Sequence, residues 1–116
     1  SLHFDGLVIA SGAVPRQWPG GSVPDGVMVL RTVEDCLAIR ERLGSRPRVV
    51  VVGGGFIGAE VAATCRSSGL HVTLIERAVN PLAGALGPEI APSWATLHRE
   101  HGVDLRVRVG VEEIVG

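Results

Sequence analysis

The chain contains no lysine and no tyrosine. The first absence excludes the lysine with which a P-loop reaches nucleotide phosphates. Together they exclude the tyrosine–lysine pair that short-chain dehydrogenases use for proton transfer. All 11 basic residues are arginine. No apolar run approaches the roughly 20 residues needed to cross a bilayer. The opening SLHFDG has no basic region leading into an apolar stretch, so no secretory signal is read there and a cytoplasmic setting is expected. A net charge of −1 supplies no electrostatic reason to expect nucleic acid or an anionic membrane as a partner. The two cysteines, Cys36 and Cys65, form no CxxC or CxxxxC pair, so no redox dithiol lies within the chain. Both sit in helix-like patterns, which favours core packing in a reducing cytosol over a disulfide.

What is present suits one globular domain at most, with 116 residues of which 46% are hydrophobic. There is no internal repeat and no low-complexity tract. FDGLVIASG reads as a turn and a strand over Leu7–Ala10, closing on Ser11 and Gly12. The segment 13–26 holds three of the seven prolines and three glycines and reads as a connection. Val27–Leu30 reads as a short strand. Thr32 then looks like a helix N-cap with Asp35 three residues on. The helix runs to about Leu43, with Val33, Cys36, Leu37, Ala38, Ile39 and Leu43 as its apolar face, and stops at Gly44. From Arg48 the chain alternates: strand Val49–Val52, helix Ile57–Ser67 ending at Gly69, strand Val72–Ile75, a proline-broken loop over 80–88, a helix from about Glu89 to His101, and strand Asp104–Val107. That order predicts an α/β fold, a Rossmann-like βαβαβ parallel sheet with right-handed crossovers. Three parallel strands make a thin sheet, and the chain reads as a fragment of a longer protein, with exposed edges that favour a homodimer.

Between the first two of these elements stands RVVVVGGGFIGAE, residues 48–60. Four valines in a row suit a strand buried on both faces. Gly53, Gly55 and Gly58 then follow in GxGxxG spacing, with Gly54 between the first two. Gly53 permits a tight turn, Gly55 lets a pyrophosphate approach bare backbone, and Gly58 lets the helix pack close to the strand. The N–H groups at the helix start then face the phosphates at the positive end of the dipole. GxGxxG alone is a weak signal, but here a strand precedes it, a helix follows, and the next strand ends on Glu76, 18 residues beyond Gly58. A carboxylate there accepts hydrogen bonds from ribose hydroxyls. It also repels a 2′-phosphate at 4 Å by about 4 kcal/mol per charge pair at an effective dielectric near 20. Arg77 would attract that phosphate if it folded inward, yet an arginine beside an inward glutamate usually points to solvent. NAD is favoured over NADP.

These stretches resemble a family. FDGLVIASGAVPR is similar to the YDxLVxATGxxPR segment of flavoprotein pyridine-nucleotide reductases. LRTVED, RVVVVGGGFIGAEVAA, GLHVTLIER and HREHGVDLR resemble the NADH-binding region of FAD-dependent ferredoxin reductases, the branch that includes rubredoxin and putidaredoxin reductases. Ser11 stands where the family usually has threonine. The resemblance implies that residues 1–26 are the end of an FAD-domain segment and crossover, and that residues 27–116 are an NAD(H)-binding Rossmann domain, incomplete at its carboxyl end. It implies that Gly53, Gly54, Gly55, Phe56, Ile57 and Gly58 bind the NADH pyrophosphate, that Glu76 holds the adenine ribose, and that Glu60 lies near nicotinamide and flavin. Gly12 and Arg31 match positions that approach FAD.

The activity so implied is transfer of hydride from NADH to FAD, with electrons passed on to a ferredoxin-like acceptor. The chemistry belongs to the cofactors, so no catalytic side chain is expected and a triad among Ser22, His71, His98, His101 and Asp104 is not. Those histidines read as surface residues. The chain alone, lacking the first glycine fingerprint, is expected to have no reductase activity. Two alternatives stay open: the same superfamily with a disulfide, nitrite, oxygen or quinone as acceptor, and a non-catalytic NADH-binding module.

Overall fold

A computed structural model describes residues 1–16, 18, 21 and 24–115; Ser22 and part of the connecting segment 13–26 lie outside the described residues. Strands β1 (Val49–Val52), β2 (Val72–Glu76) and β3 (Asp104–Val107) form one parallel sheet in the order β1-β2-β3. Helices α1 (Val33–Leu43), α2 (Phe56–Ser67) and α3 (Ala83–Glu100) complete the chain, and β1-α2-β2-α3-β3 is the expected alternation. Val49 pairs with Val72, Val51 with Leu74, and Leu74 with Leu105. Side chains alternate along a strand, so these residues share one face. There they meet Ala62 and Cys65 of α2 and Ala95 of α3 in a single core. Burial pushes the Cys65 thiol above its ordinary value.

The other face is open. Val50 is 61% exposed and Val52 54%, which corrects the reading of β1 as buried on both faces. A continuous valine run states what a strand can bury, and here helices cover one side only. The strands expected at Leu7–Ala10 and Val27–Leu30 do not form. A strand is held by ladder bonds to a neighbour, and among the described residues neither segment has one; Val8 is 88% exposed.

Helix α1 starts as its sequence dictates. Thr32 Oγ1 accepts the Asp35 N–H at 3.2 Å, while the Asp35 carboxylate accepts the Thr32 and Arg31 amides at 2.9 Å each. Those backbone bonds, the one from Thr32 first, hold the Asp35 carboxyl below its ordinary value. The apolar face of α1 stays uncovered, with Val33, Leu37 and Cys36 exposed, and only Leu43 packs against the core. Core packing was therefore right for Cys65 and wrong for Cys36, and both thiols are free. Helix α3 is two pieces joined at Gly87 (φ 74°, ψ 174°). Pro88 begins the second piece, where a missing N–H is harmless. The loop expected over 80–88 thus contains a helical turn, Ala83–Leu86, that proline and glycine content concealed.

One-sided packing makes a direct prediction. Leu74→Ala, at a fully buried site, should lose about 3 kcal/mol of stability in urea unfolding, whereas Val50→Ala should lose less than about 1 kcal/mol. Equal losses would mean that the outer face is covered in solution.

Candidate functional site

The carboxyl ends of β1 and β2 are joined by backbone. Gly53 takes φ +98°, a conformation that L side chains rarely adopt, and its N–H donates to Ile75 O at 2.9 Å, extending the ladder by one rung. Gly54 is buried, and its carbonyl accepts the Leu82 N–H at 2.8 Å. Gly55 is the N-cap of α2 and offers no side-chain cap. A Cβ on Gly55 would meet nothing within 4 Å, whereas one on Gly58 would fall 1.9 Å from Gly53 O. The three glycines of the fingerprint therefore have the distinct roles their spacing suggests: turn, open approach and close packing. The N–H groups of Phe56, Ile57 and Gly58 have no helical acceptor, as in the first turn of any helix. With no side chain capping them, they present donors and the positive dipole end to whatever lies in front of α2. Phe56 and Ile57 are 53% and 52% exposed.

Glu76 ends β2 on the same face as Val72 and Leu74, which turns its carboxylate toward the glycine turn. Oε2 accepts the Gly54 N–H at 2.6 Å and Oε1 accepts the Ala78 N–H at 2.7 Å. A carboxylate has about four lone-pair sites, so two are engaged and two remain open to further donors. Sequence reasoning anticipated the acid's direction but missed that it first binds the backbone. A Cβ on Gly54 would lie 3.0 Å from both Glu76 Oε2 and Pro81 Cβ, so this glycine too is confined, though less severely than Gly58. A cleft of about 210 Å³ results, with Gly54, Gly55, Phe56 and Glu76 on one side and residues of the segment 78–85 on the other.

The other expected site residues lie outside that cleft. Arg77 is exposed, its stem running beside Gly110, and Glu60 is exposed on α2. Gly12 (φ +79°) and Arg31 are brought together elsewhere, the Arg31 Nε–H donating to Ala13 O at 3.2 Å. A larger hollow of about 430 Å³ lies at the amino ends of the strands, lined by Arg48, His71, Thr73 and Asp104 among others. Gly102, in the turn after α3, also lines it, but no helix start faces it, so the smaller cleft is the better anion site. Asp104 there is paired with Arg106 at 2.9 Å, whose hydrogen bond holds its carboxyl below the usual range.

One histidine departs from expectation. His71 and His101 are exposed, but His98 is 4% exposed. Its Nε2 lies 3.1 Å from Ala59 O in α2 and its Nδ1 3.0 Å from Trp94 O. The signal was available, because Ala91, Ala95 and His98 share the helical i, i+4, i+7 spacing of a buried face.

The glycines can be separated experimentally. Gly58→Ala should cost about 2–3 kcal/mol in thermal unfolding because Gly53 O must move. Gly55→Ala, with open space around it, should cost less than about 1 kcal/mol. Similar losses at the two positions would contradict this geometry.

Known proteins share this fold. The family described as pyridine nucleotide-disulphide oxidoreductase matches residues 1–116. Putidaredoxin reductase of Pseudomonas putida is 43% identical over 110 residues, covering 91% of this chain and 26% of that protein. The crystal structure of the ferredoxin reductase of the CYP199A2 system from Rhodopseudomonas palustris superposes with a TM-score of 0.77 at 38% identity, covering 84% of this chain and 24% of that one. The water-forming NADH oxidase of Lactobacillus brevis, solved with NADH bound, gives 0.74 at 28% identity over 86% of this chain and 22% of that one. The chain spans about a quarter of the length of the curated relatives it matches. With the family matched end to end and relatives this similar, the chain belongs to the pyridine nucleotide-disulphide oxidoreductases.

Proposed function

We propose that residues 27–116 are the NADH-binding unit of an FAD-dependent reductase, and that residues 1–26 are the end of its flavin-domain segment and crossover. The observation that carries this reading is the convergence on one cleft of an uncapped α2 start and a carboxylate anchored at the end of the adjacent parallel strand. That is where open α/β sheets bind dinucleotides. The pyrophosphate lies against the Phe56, Ile57 and Gly58 amides, over the space left by Gly55. The ribose hydroxyls take the remaining acceptor sites of Glu76.

Glu76 also favours NADH over NADPH, since a 2′-phosphate beside it meets like charge in a partly buried site. Arg77, exposed, does little to relieve that. Glu60 lies toward the nicotinamide end, and Gly12 and Arg31 approach the flavin. Flavin, when bound, supplies hydride acceptance and one-electron delivery, so the chain's own residues need only bind, orient and exclude competing ligands. The acceptor in this reading is a ferredoxin-like protein, which the names of the relatives support.

Titration of the chain with NADH and NADPH tests the assignment. NADH should bind at least about ten-fold tighter. Glu76→Ala should weaken NADH by about ten-fold, because the Gly54 amide loses its acceptor, and should narrow the gap between the two nucleotides. Equal binding by the unmodified chain would overturn the cofactor preference, and binding of neither would overturn the site.

A further inference from the structure

The direction of the α2 amides depends on what holds the first turn of that helix. Three successive glycines precede it, the residues with the most backbone freedom to lose, and its cap contributes no side chain. Among the described residues, two side chains hydrogen-bond to the backbone of residues 53–60. One is Glu76, on the Gly54 N–H. The other is His98, on Ala59 O, from the far side of α2.

Ala59 closes the first turn, its N–H donating to Gly55 O at 2.9 Å. The same peptide run therefore meets the cap through its nitrogen and α3 through its oxygen. Both acceptors around His98 are carbonyls, so each contact is favourable only when the facing ring nitrogen carries a proton. The Nε2–H is the one that links two helices, and it does so inside the core, where an unmade hydrogen bond would leave a buried polar atom.

We propose that His98 is a positioning residue for dinucleotide binding: by donating from Nε2 to Ala59 O it fixes the first turn of α2, and with it the aim of the Phe56, Ile57 and Gly58 amides. It touches no ligand. The proposal rests on reading the cleft as the dinucleotide site.

A structural tether elsewhere on the same helices provides the control. The Arg66 Nε–H donates to His101 O at 3.0 Å, joining the carboxyl ends of α2 and α3. His98→Leu should raise the NADH Kd about ten-fold, the size of one hydrogen bond. His98→Gln places an amide nitrogen the same number of bonds from Cα and should restore the Kd to within about two-fold. His98→Asn is one bond too short to reach Ala59, so it should behave as the leucine variant while keeping a polar group in the core. Arg66→Met should lower Tm and leave the Kd unchanged. In the ligand-free chain the Gly55–Gly58 amide resonances should shift in His98→Leu and His98→Asn and stay in place in His98→Gln and Arg66→Met. An unchanged Kd and amide spectrum in the leucine and asparagine variants would overturn the proposal, as would an equal Kd rise in Arg66→Met. Failure of the unmodified chain to bind NADH would fall on the site assignment, and the ligand-free amide comparison would still decide the role of His98.

Discussion

A carboxylate bound by two backbone amides joins the two strand ends on which the site is built. Glu76 accepts from Gly54 at 2.6 Å and from Ala78 at 2.7 Å, and hydrogen bonds to an ionised acceptor are shorter and roughly twice as strong as neutral ones. Glycine at three successive positions leaves the turn no preference of its own. The charge at the end of β2 therefore selects the conformation in which Gly54 is buried, Leu82 N–H reaches Gly54 O, and the start of α2 is left uncapped. One side chain thus shapes the anion cradle and sets the electrostatic sign of the space beside it.

The cradle is made of backbone, and much of the wall facing it is small. Ala78, Ala83, Gly84 and Ala85 line the opposite wall of the cleft together with Asn80 and Leu82, and Gly58 is required by the closeness of Gly53 O. Rigidity is supplied from outside the cradle, through Glu76 on one side and the His98 contact on the other. The core formed by α2, α3 and one sheet face sits beneath these supports.

Much of this was legible in the residues. Valines running into glycines, an acid at the end of the next strand and a threonine ahead of Asp35 each have one economical physical reading, and each element formed where expected. The strand and surface failures share a cause. Leu7–Ala10 and Val27–Leu30 have strand-like patterns, but a pattern states that a segment can pair and not that a partner lies beside it. The same holds for the outer face of β1 and for Cys36 on α1, apolar positions with nothing packed over them. His98 was misread for the opposite reason: residue type suggested the surface, while its spacing from Ala91 and Ala95 placed it in the core. The bonds from Glu76 to backbone amides left no trace in sequence, because any residue supplies the donor.

The central claim is that a dinucleotide binds against the first-turn amides of α2. Mapping amide chemical shifts across the chain as NADH is added tests it most directly. The largest changes should fall on Phe56, Ile57 and Gly58, with a second group at Glu76–Ala78. Changes centred instead on Arg48, His71 and Asp104 at the amino ends of the strands, or none anywhere, would contradict the account.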